Sequence, residues 1–289
     1  MSIRSRVLPL LGAARVAIAS RCAAVTPANM QSDPVAPFYR GRMLSIPEKL
    51  AMLLPPSWYY RRRIAYEVRT GEPELGILRE LVGGGGTAID VGANQGFFAY
   101  ALGEVADRVL AFEPNPDYAW FARWMLRGRA EVHEVALSDH SGRGTFHVPF
   151  SEDGKALHLA GSLNRTHAQF AEIRYFEVET RKLDDYGFPD VRFVKIDVEG
   201  SEREVLDGSR VTIERNRPVL LLELLSGTFA DPARETGTIC ESFGYEAFLL
   251  QGGRRIAALP AIAKLGKNTS WGTEIESRNV LFLPRRSSG

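Results

Sequence analysis

The sequence predicts an α/β fold with a mostly parallel sheet and helices on both faces. Two observations carry this prediction. From residue 87 onwards, short apolar segments bounded by turn residues alternate with helical patterns. The first apolar segment also runs directly into a glycine loop at residues 92–96. Alternating strands and helices favour parallel strands, because each crossover helix returns the chain to the same edge of the sheet.

The order of elements follows from local patterns. Residues 74–82 space apolar side chains as one helical face, and Gly83 ends that helix. Asn115 followed by Pro116 is typical of a helix start, and residues 201–204 read as a capping box. Further helices are predicted at 96–105, 118–126 and 232–243, and seven strands at 87–91, 108–112, 131–137, 191–196, 218–222, 245–249 and 279–283.

Residues 142–180 break this alternation. Segments 142–148 and 175–181 are typical of strands at an edge, and a polar stretch lies between them. Long insertions in compact domains are often functional. The stretch contains His158 and His167, which are candidate bases, although ordinary polar loop residues are the simpler interpretation.

Composition limits the function classes. The chain has 289 residues, 45% of them hydrophobic, and 36 Lys and Arg against 35 Asp and Glu give a net charge of +1. This balance of charges argues against a protein that binds nucleic acid mainly through electrostatic attraction. Cys22 and Cys240 form no disulfide framework and show no metal-ligand spacing, so we expect a cytoplasmic protein. No apolar run is long enough for a transmembrane helix.

The N-terminal region divides into two segments. Residues 1–33 are basic, with Arg4, Arg6, Arg15 and Arg21, and we expect a disordered or loosely helical extension there. The alternative is a targeting or membrane-surface segment. Residues 34–75 are rich in Pro, Tyr and Arg, and we expect short helices that pack on the main domain, which we place at residues 76–284.

Two carboxylates flank the glycine loop and indicate its ligand. Gly92 allows a tight turn, and Gly96 lets the next helix start close to the strand. Glu113 ends the second strand, where an acidic side chain can hold both hydroxyls of a ribose. Asp90 would repel the pyrophosphate of NAD, which prefers bare amides at a helix N-terminus. It suits the sulfonium and ammonium of S-adenosylmethionine (SAM), so the charges favour SAM over NAD.

A second acidic group follows the strand at 191–196. Asp197 and Glu199 would emerge at the same edge as the glycine loop. They are our candidate catalytic residues, because a carboxylate there can orient the methionine end of SAM or accept a proton. Together with Glu223 they could also hold a divalent cation, although we expect no metal, and Glu199 could instead bond backbone amides at the turn. The Asp-Val-Glu-Gly turn differs from the Asn/Asp-Pro-Pro-aromatic turn usual in nucleobase methyltransferases, which points to a hydroxyl or carboxyl of a small molecule.

Six segments together resemble the FkbM-type family of SAM-dependent methyltransferases. They begin at Ile89, Ala111, Ala136, Lys182, Lys195 and Arg217, and they cover about residues 75–250. The resemblance implies a class I methyltransferase (Rossmann-like) fold with a seven-stranded sheet, SAM as cofactor and a hydroxyl acceptor on a small molecule, sugar or glycan. It also implies a set of SAM-binding residues: Asp90, Gly92, Ala93, Asn94, Gly96, Glu113, Ala136, Leu137 and Asp197.

Two other functions stay open from the sequence. One is an NAD(P)-dependent oxidoreductase, which the glycine loop alone does not exclude. The other is a SAM-binding module without catalysis, held on a membrane surface by its N-terminus.

Overall fold

The structure, a computed structural model, describes residues 46–150, 162–163, 172–225, 229–265 and 276–285. All of them belong to one unit, Arg42–Gly289. The predicted extension at residues 1–33 and the candidate bases His158 and His167 lie outside the described residues. The division into an extension, a helical segment at 34–75 and a main domain at 76–284 therefore stays a prediction.

Eleven strands and nine helices are found within the described ranges. The strands are β1 (Thr87–Val91), β2 (Arg108–Phe112), β3 (Glu131–His133), β4 (Ala136–Leu137), β5 (Gly142–Phe150), β6 (Glu172–Arg181), β7 (Val191–Ile196), β8 (Val219–Glu223), β9 (Tyr245–Gln251), β10 (Arg254–Ala257) and β11 (Asn279–Pro284). The helices are α1 (Ile46–Ala51), α2 (Pro56–Thr70), α3 (Leu78–Val82), α4 (Phe97–Leu102), α5 (Pro116–Met125), α6 (Glu202–Asp207), α7 (Arg210–Asn216), α8 (Pro232–Phe243) and α9 (Ala258–Leu265).

The central sheet confirms the predicted α/β class. Its strand order is β10-β9-β11-β8-β7-β1-β2-β3. The pairs β3-β2, β2-β1, β1-β7 and β7-β8 are parallel, whereas β11 runs antiparallel to both of its neighbours. Six of the seven predicted strands are present as single elements of this sheet. The eighth, β10, was not predicted, and it forms a hairpin with β9 through Gly252 and Gly253, both at positive φ, as a two-residue turn requires.

The predicted third strand, 131–137, is wrong as one element. β3 pairs with β2 only as far as Phe112–His133, where β2 ends and the ladder has no further partner. The chain then leaves the central sheet. β4 joins β6, and β6 joins β5, in a separate three-stranded sheet. The strands predicted at an edge therefore form their own small sheet.

The predicted helix at 74–82 is a 3₁₀ helix, Pro73–Ile77, followed by α3. Leu75 is buried in the 3₁₀ helix, and Leu78 and Leu81 are buried in α3, so the apolar face predicted for one helix is shared by the two. The helix predicted at 118–126 is confirmed as α5. Asn115 caps it by accepting a hydrogen bond from the amide of Asp117.

Apolar side chains cover both faces of the central sheet. Ile89 and Val91 of β1 belong to a buried cluster with residues of α6, α7, α8 and α9. Ala88, from the same strand, belongs to a second cluster with residues of α2, α3, α4 and α5. Alternate residues of one strand thus face opposite helical layers. Within the described part of the chain, no helix combines the length and hydropathy needed to cross a bilayer.

Candidate functional site

A cleft of about 1170 Å³, part of it open to solvent, lies at the carboxyl ends of β1, β2, β7 and β8. Parallel sheets bind their ligands at this edge. Almost all predicted site residues line the cleft: Asp90, Gly92, Ala93, Asn94, Glu113, Ala136, Leu137, Asp197 and Glu199. The structure thus brings these residues together at one cleft, and their roles stay predictions.

At Gly92, the glycine loop after β1 lies directly against the turn after β7. The φ of Gly92 is +80°, and a Cβ on it would lie 1.8 Å from the carbonyl oxygen of Asp197. The glycine loop after β1 and the turn after β7 thus approach each other more closely than any side chain permits.

Gly96 is the predicted site residue that does not line the cleft. Its φ is also +80°, and a Cβ on it would lie 2.7 Å from Cδ1 of Leu126. This residue lets the chain turn into α4 against its neighbours, which is a packing role.

Glu113 holds the glycine loop through its carboxylate. It is buried, and its two oxygens accept hydrogen bonds from the amides of Asn94 (2.7 Å) and Asn115 (2.8 Å). The backbone of Asn94 adopts the left-handed conformation, with a φ of +50°. Its Oδ1 accepts a hydrogen bond from the amide of Gln95. Burial raises the pKa of Glu113 to about 7, and the two amides only partly oppose this.

Asp90 is a buried acid that faces the cleft without a well-formed partner. Its exposure is 1%, and neither carboxyl oxygen has a hydrogen-bond partner of good geometry in the described parts of the chain. Burial raises its pKa to about 6, although the Lys195 ammonium and the amide of Ala99 in α4 lower it. A buried polar group without a partner is costly, so its oxygens are available to a ligand.

Lys195 is a site residue that the sequence analysis did not single out. It lies within β7 and is 2% exposed, and its Nζ is 2.7 Å from Oδ2 of Asp197 and 4.8 Å from the Phe98 ring centre. Burial opposes its charge, but Asp197, Glu72 and Asp90 together raise its pKa. A lysine between apolar neighbours near the end of a strand was the signal that could have revealed it.

Asp197 belongs to a cluster of three acids. One carboxylate oxygen each from Asp197, Glu199 and Glu223 lies within 4.8 Å of the other two. Burial works against ionisation of Asp197, but Lys195 and a hydrogen bond with Glu223 outweigh it and lower its pKa. Burial together with the Asp197 charge raises the pKa of Glu199 to about 8 and that of Glu223 to about 10. The cluster therefore favours the ionised form of Asp197 and the protonated forms of Glu199 and Glu223.

The turn after β7 differs from its predicted form. Ser201 precedes α6, but its hydroxyl makes no cap bond and has no partner within the described ranges, so the predicted capping box is wrong. The carboxylate of Glu202 instead accepts from the amides of Val198 (3.2 Å) and Gly200 (3.0 Å). Glu202 thus has the amide-bonding role considered for Glu199, whose φ is +53° and whose side chain lines the cleft.

One side of the cleft is apolar. Ala136 and Leu137 of β4 are buried and line it together with Phe112 and Val135. This wall adjoins Glu113, the residue proposed to hold a ribose, and a flat apolar surface there suits an adenine ring.

The N-terminal helices supply a further wall. Arg63 and Glu67 of α2, an ion pair at 2.6 Å, line the cleft together with Glu72. Tyr59 and Tyr60 donate hydrogen bonds to Oε1 and to the carbonyl oxygen of Gln95, both at 2.7 Å. No spacing or motif in the sequence linked these residues to the glycine loop.

Comparison with known proteins identifies the family. Residues 90–247, more than half of the chain, match the model described as the methyltransferase FkbM domain. The 2-O-methyltransferase NoeI of Sinorhizobium fredii (strain NBRC 101917 / NGR234) is 31% identical over 145 residues, which are 45% of this chain and 59% of that protein. The chain thus spans less than two thirds of this relative's length.

Solved structures give weaker likenesses. Methyltransferase FkbM from Methylobacillus flagellatus KT has a TM-score of 0.44 at 17% identity, over 69% of this chain and 43% of its own. A SAM-dependent methyltransferase from Aquifex aeolicus has a TM-score of 0.37 at 16% identity, over 69% of this chain and 94% of its own. The family match includes the end of β1, all of β2, β7 and β8, and the turns that form the cleft, and the sheet has the order of a class I methyltransferase fold. The chain belongs to the FkbM methyltransferase domain family.

Proposed function

We propose that the protein is a SAM-dependent O-methyltransferase whose acceptor is a hydroxyl of a saccharide or another small molecule. One observation carries the proposal. Asp90, a buried acid without a well-formed partner, lies in the cleft beside a glycine loop that has no room for a Cβ. Such a site favours a cationic ligand without phosphate, which describes SAM and does not describe NAD.

The residues present fit the cofactor. Glu113 would hold the ribose, since each of its oxygens keeps a free lone pair beside the amide bond it accepts. Ala136 and Leu137 would lie against the adenine, and Asp90 and Asp197 would face the methionine end. When bound, SAM supplies a methyl group on a sulfonium, which is a strong electrophile.

The protein's own contribution to the reaction is alignment and proton transfer. Methylation of a hydroxyl is an in-line displacement, so the cleft must orient the acceptor and exclude water. Asp197 is the ionised member of the acid cluster, and we assign to it the removal of the hydroxyl proton. Glu199 would donate a hydrogen bond to an acceptor oxygen, whereas Glu223 donates its proton to the hydrogen bond with Asp197. No metal is needed in this assignment, because the Lys195 ammonium already neutralises Asp197.

The acceptor class follows from the lining of the cleft and from the relative. Acidic side chains outnumber basic ones along the cleft, so a neutral, hydroxyl-rich molecule is better suited than an anionic one. The relative NoeI is named a 2-O-methyltransferase, which supports a hydroxyl as the reacting group.

The proposal is tested by binding and by transfer. SAM at 100 times its Kd should stabilise the protein by about 2.7 kcal/mol, and NADH should cause no thermal shift. Incubation with SAM that carries a tritiated methyl group, together with a panel of neutral and acidic saccharides, should label a neutral one. A thermal shift with NADH and none with SAM would support the alternative function, an NAD(P)-dependent oxidoreductase. SAM binding without label in any acceptor, including cell extracts, would support the non-catalytic module.

A further inference from the structure

Exposed apolar side chains are concentrated on the first two helices and on the turn that joins them. Of the nine large apolar residues that are exposed within the described ranges, five lie between residues 50 and 66. They are Leu50 (57% exposed), Leu53 (80%), Leu54 (38%), Trp58 (50%) and Tyr66 (53%). Single exposed apolar residues are common on protein surfaces, but a cluster usually marks a surface that contacts a partner.

Basic side chains share this surface. Trp58, Arg61, Arg62, Tyr66 and Arg69 follow the spacing of one helical face on α2, and all five are exposed. The Arg62 guanidinium lies 5.0 Å from the centre of the Trp58 ring. We call the surface formed by these five residues and the three leucines, Leu50, Leu53 and Leu54, the N-terminal face.

The charge of the chain is unevenly distributed. Residues 1–70 contain 11 Lys and Arg against 3 Asp and Glu, a net charge of +8. The remaining residues contain 25 against 32, a net charge of −7. Although the net charge of the whole chain is close to zero, its N-terminal quarter is strongly basic. Such asymmetry favours an anionic partner.

We propose that the N-terminal face docks the protein on an anionic lipid bilayer. Leucine and tryptophan side chains insert at the boundary between headgroups and acyl chains, while arginines contact anionic headgroups. The helices would lie on the bilayer, since none of those described could span it. A second copy of the chain fits less well, because two basic faces would repel each other. Nucleic acid fits less well, because it offers no apolar phase for Leu53.

The position of the cleft gives this docking a consequence. Arg63 and Glu67 line the cleft from the other side of α2. A helix with its side chains is about 10 Å across, so the docked protein would hold the cleft close to the lipid surface. An acceptor displayed on a membrane would then be within reach.

Vesicle flotation of the full-length protein tests the proposal. We expect binding to vesicles in which phosphatidylglycerol replaces a third of the phosphatidylcholine, little binding to pure phosphatidylcholine, and loss of binding in molar salt. Leu53→Ser and Trp58→Ser should each weaken binding roughly tenfold. Arg61→Gln and Arg62→Gln should each weaken it about fivefold.

Val211→Ser is the matched control, since Val211 is 61% exposed on α7 and lies far from this face in the sequence. It should bind vesicles like the unchanged protein, and every variant should keep its SAM-induced thermal shift. If Leu53→Ser and Trp58→Ser bind as the unchanged protein does, the face is not the docking surface. Self-association without lipid, or binding to single-stranded RNA in place of vesicles, would also overturn the proposal. None of these results depends on the methyl-transfer assay.

Discussion

At the residue scale, Gly92 controls whether the cleft can form. Its left-handed φ and its contact with Asp197 are separate constraints, and each excludes other residues. We expect Gly92→Ala to destabilise the protein by at least about 3 kcal/mol. The added Cβ would be strained at this φ and would also clash with the carbonyl oxygen of Asp197. Chemical denaturation measures the effect.

Gly128 provides the control for this prediction. Its φ is +76°, close to that of Gly92, but a Cβ on it would meet nothing within 4 Å. Gly128→Ala should therefore cost only about 1 kcal/mol, the contribution of strain alone. Equal losses for the two variants would show that the contact with Asp197 is unimportant.

Asp90 and Glu113 give a second prediction at this scale. Asp90→Asn and Glu113→Gln keep the shapes of the side chains and remove their negative charges. Hydrogen bonds to charged groups contribute about 1.5–3 kcal/mol, so each change should weaken SAM binding by roughly tenfold to hundredfold. Calorimetry measures this, and Glu241→Gln on the exposed end of α8 is the control. Unchanged affinity in both variants would refute the assignment of the glycine loop.

Local motifs explain which site residues the sequence revealed. Asp90, Gly92, Asn94, Glu113 and Asp197 occupy strand ends next to turns, and such positions can be read from neighbours in the chain. Lys195 and Glu72 approach each other only when β7 and the segment after α2 pack together. The effect of the Glu72 charge on the pKa of Lys195 arises only in the tertiary structure, so the spacing of residues in the sequence does not predict it.

At the element scale, α2 supports the glycine loop. Tyr60 is fully buried, stacks on Tyr100 with ring centres 4.6 Å apart, and donates to the carbonyl oxygen of Gln95. We expect Tyr60→Phe to cost about 1–3 kcal/mol, since the Gln95 carbonyl would lose its donor. It should also weaken SAM binding, because the loop that faces the cofactor becomes mobile.

Tyr66→Phe is the control for Tyr60→Phe. Tyr66 lies on the same helix but is 53% exposed, so its hydroxyl can bond to water. Thermal unfolding and SAM titration of the two variants should differ clearly. A Tyr60→Phe protein that unfolds at a lower temperature but binds SAM normally would limit α2 to a packing role.

The sequence predicted the positions of the strands better than it predicted which strands pair with each other. Apolar runs and turn residues located six of the seven predicted strands and the start of the third, because those signals are local. The separation of β4 from β3 was missed, since it depends on where β2 ends. β10 was missed because three of its four residues are exposed and two of them are arginines. Pairing partners are set by ladders that join distant parts of the chain.

At the scale of the whole molecule, buried acids link pH to both stability and binding. The folded protein holds protons on Asp90 and Glu113 up to about pH 6 and about pH 7, above the ordinary values of 3.8 and 4.5. Raised carboxyl pKa values stabilise the fold at low pH, and this contribution is lost as the pH rises through those values. The ligand-free protein should therefore lose stability through these groups between about pH 4 and about pH 7, the interval from their ordinary to their raised pKa values.

SAM binding should show the opposite trend. A cationic ligand prefers the ionised acids, so its affinity should fall as the pH falls through about 7 and about 6, by up to roughly tenfold per pH unit for each acid. Calorimetry across this range measures the affinity, and thermal unfolding without ligand measures the stability. If both quantities changed in the same direction, these acids would not be the cofactor's partners.

The wall that α2 and Glu72 contribute lies before residue 90, where the family match begins. Two chains could therefore share the entire matched module and still present different surfaces to an acceptor. On the proposed function, the choice of acceptor would then depend in part on the leading helices and could be altered by replacing them. A chimera that carries the first helices of one family member on the module of another, with Tyr60 and its hydrogen bond to Gln95 retained, should keep the donor and acquire a new range of acceptors.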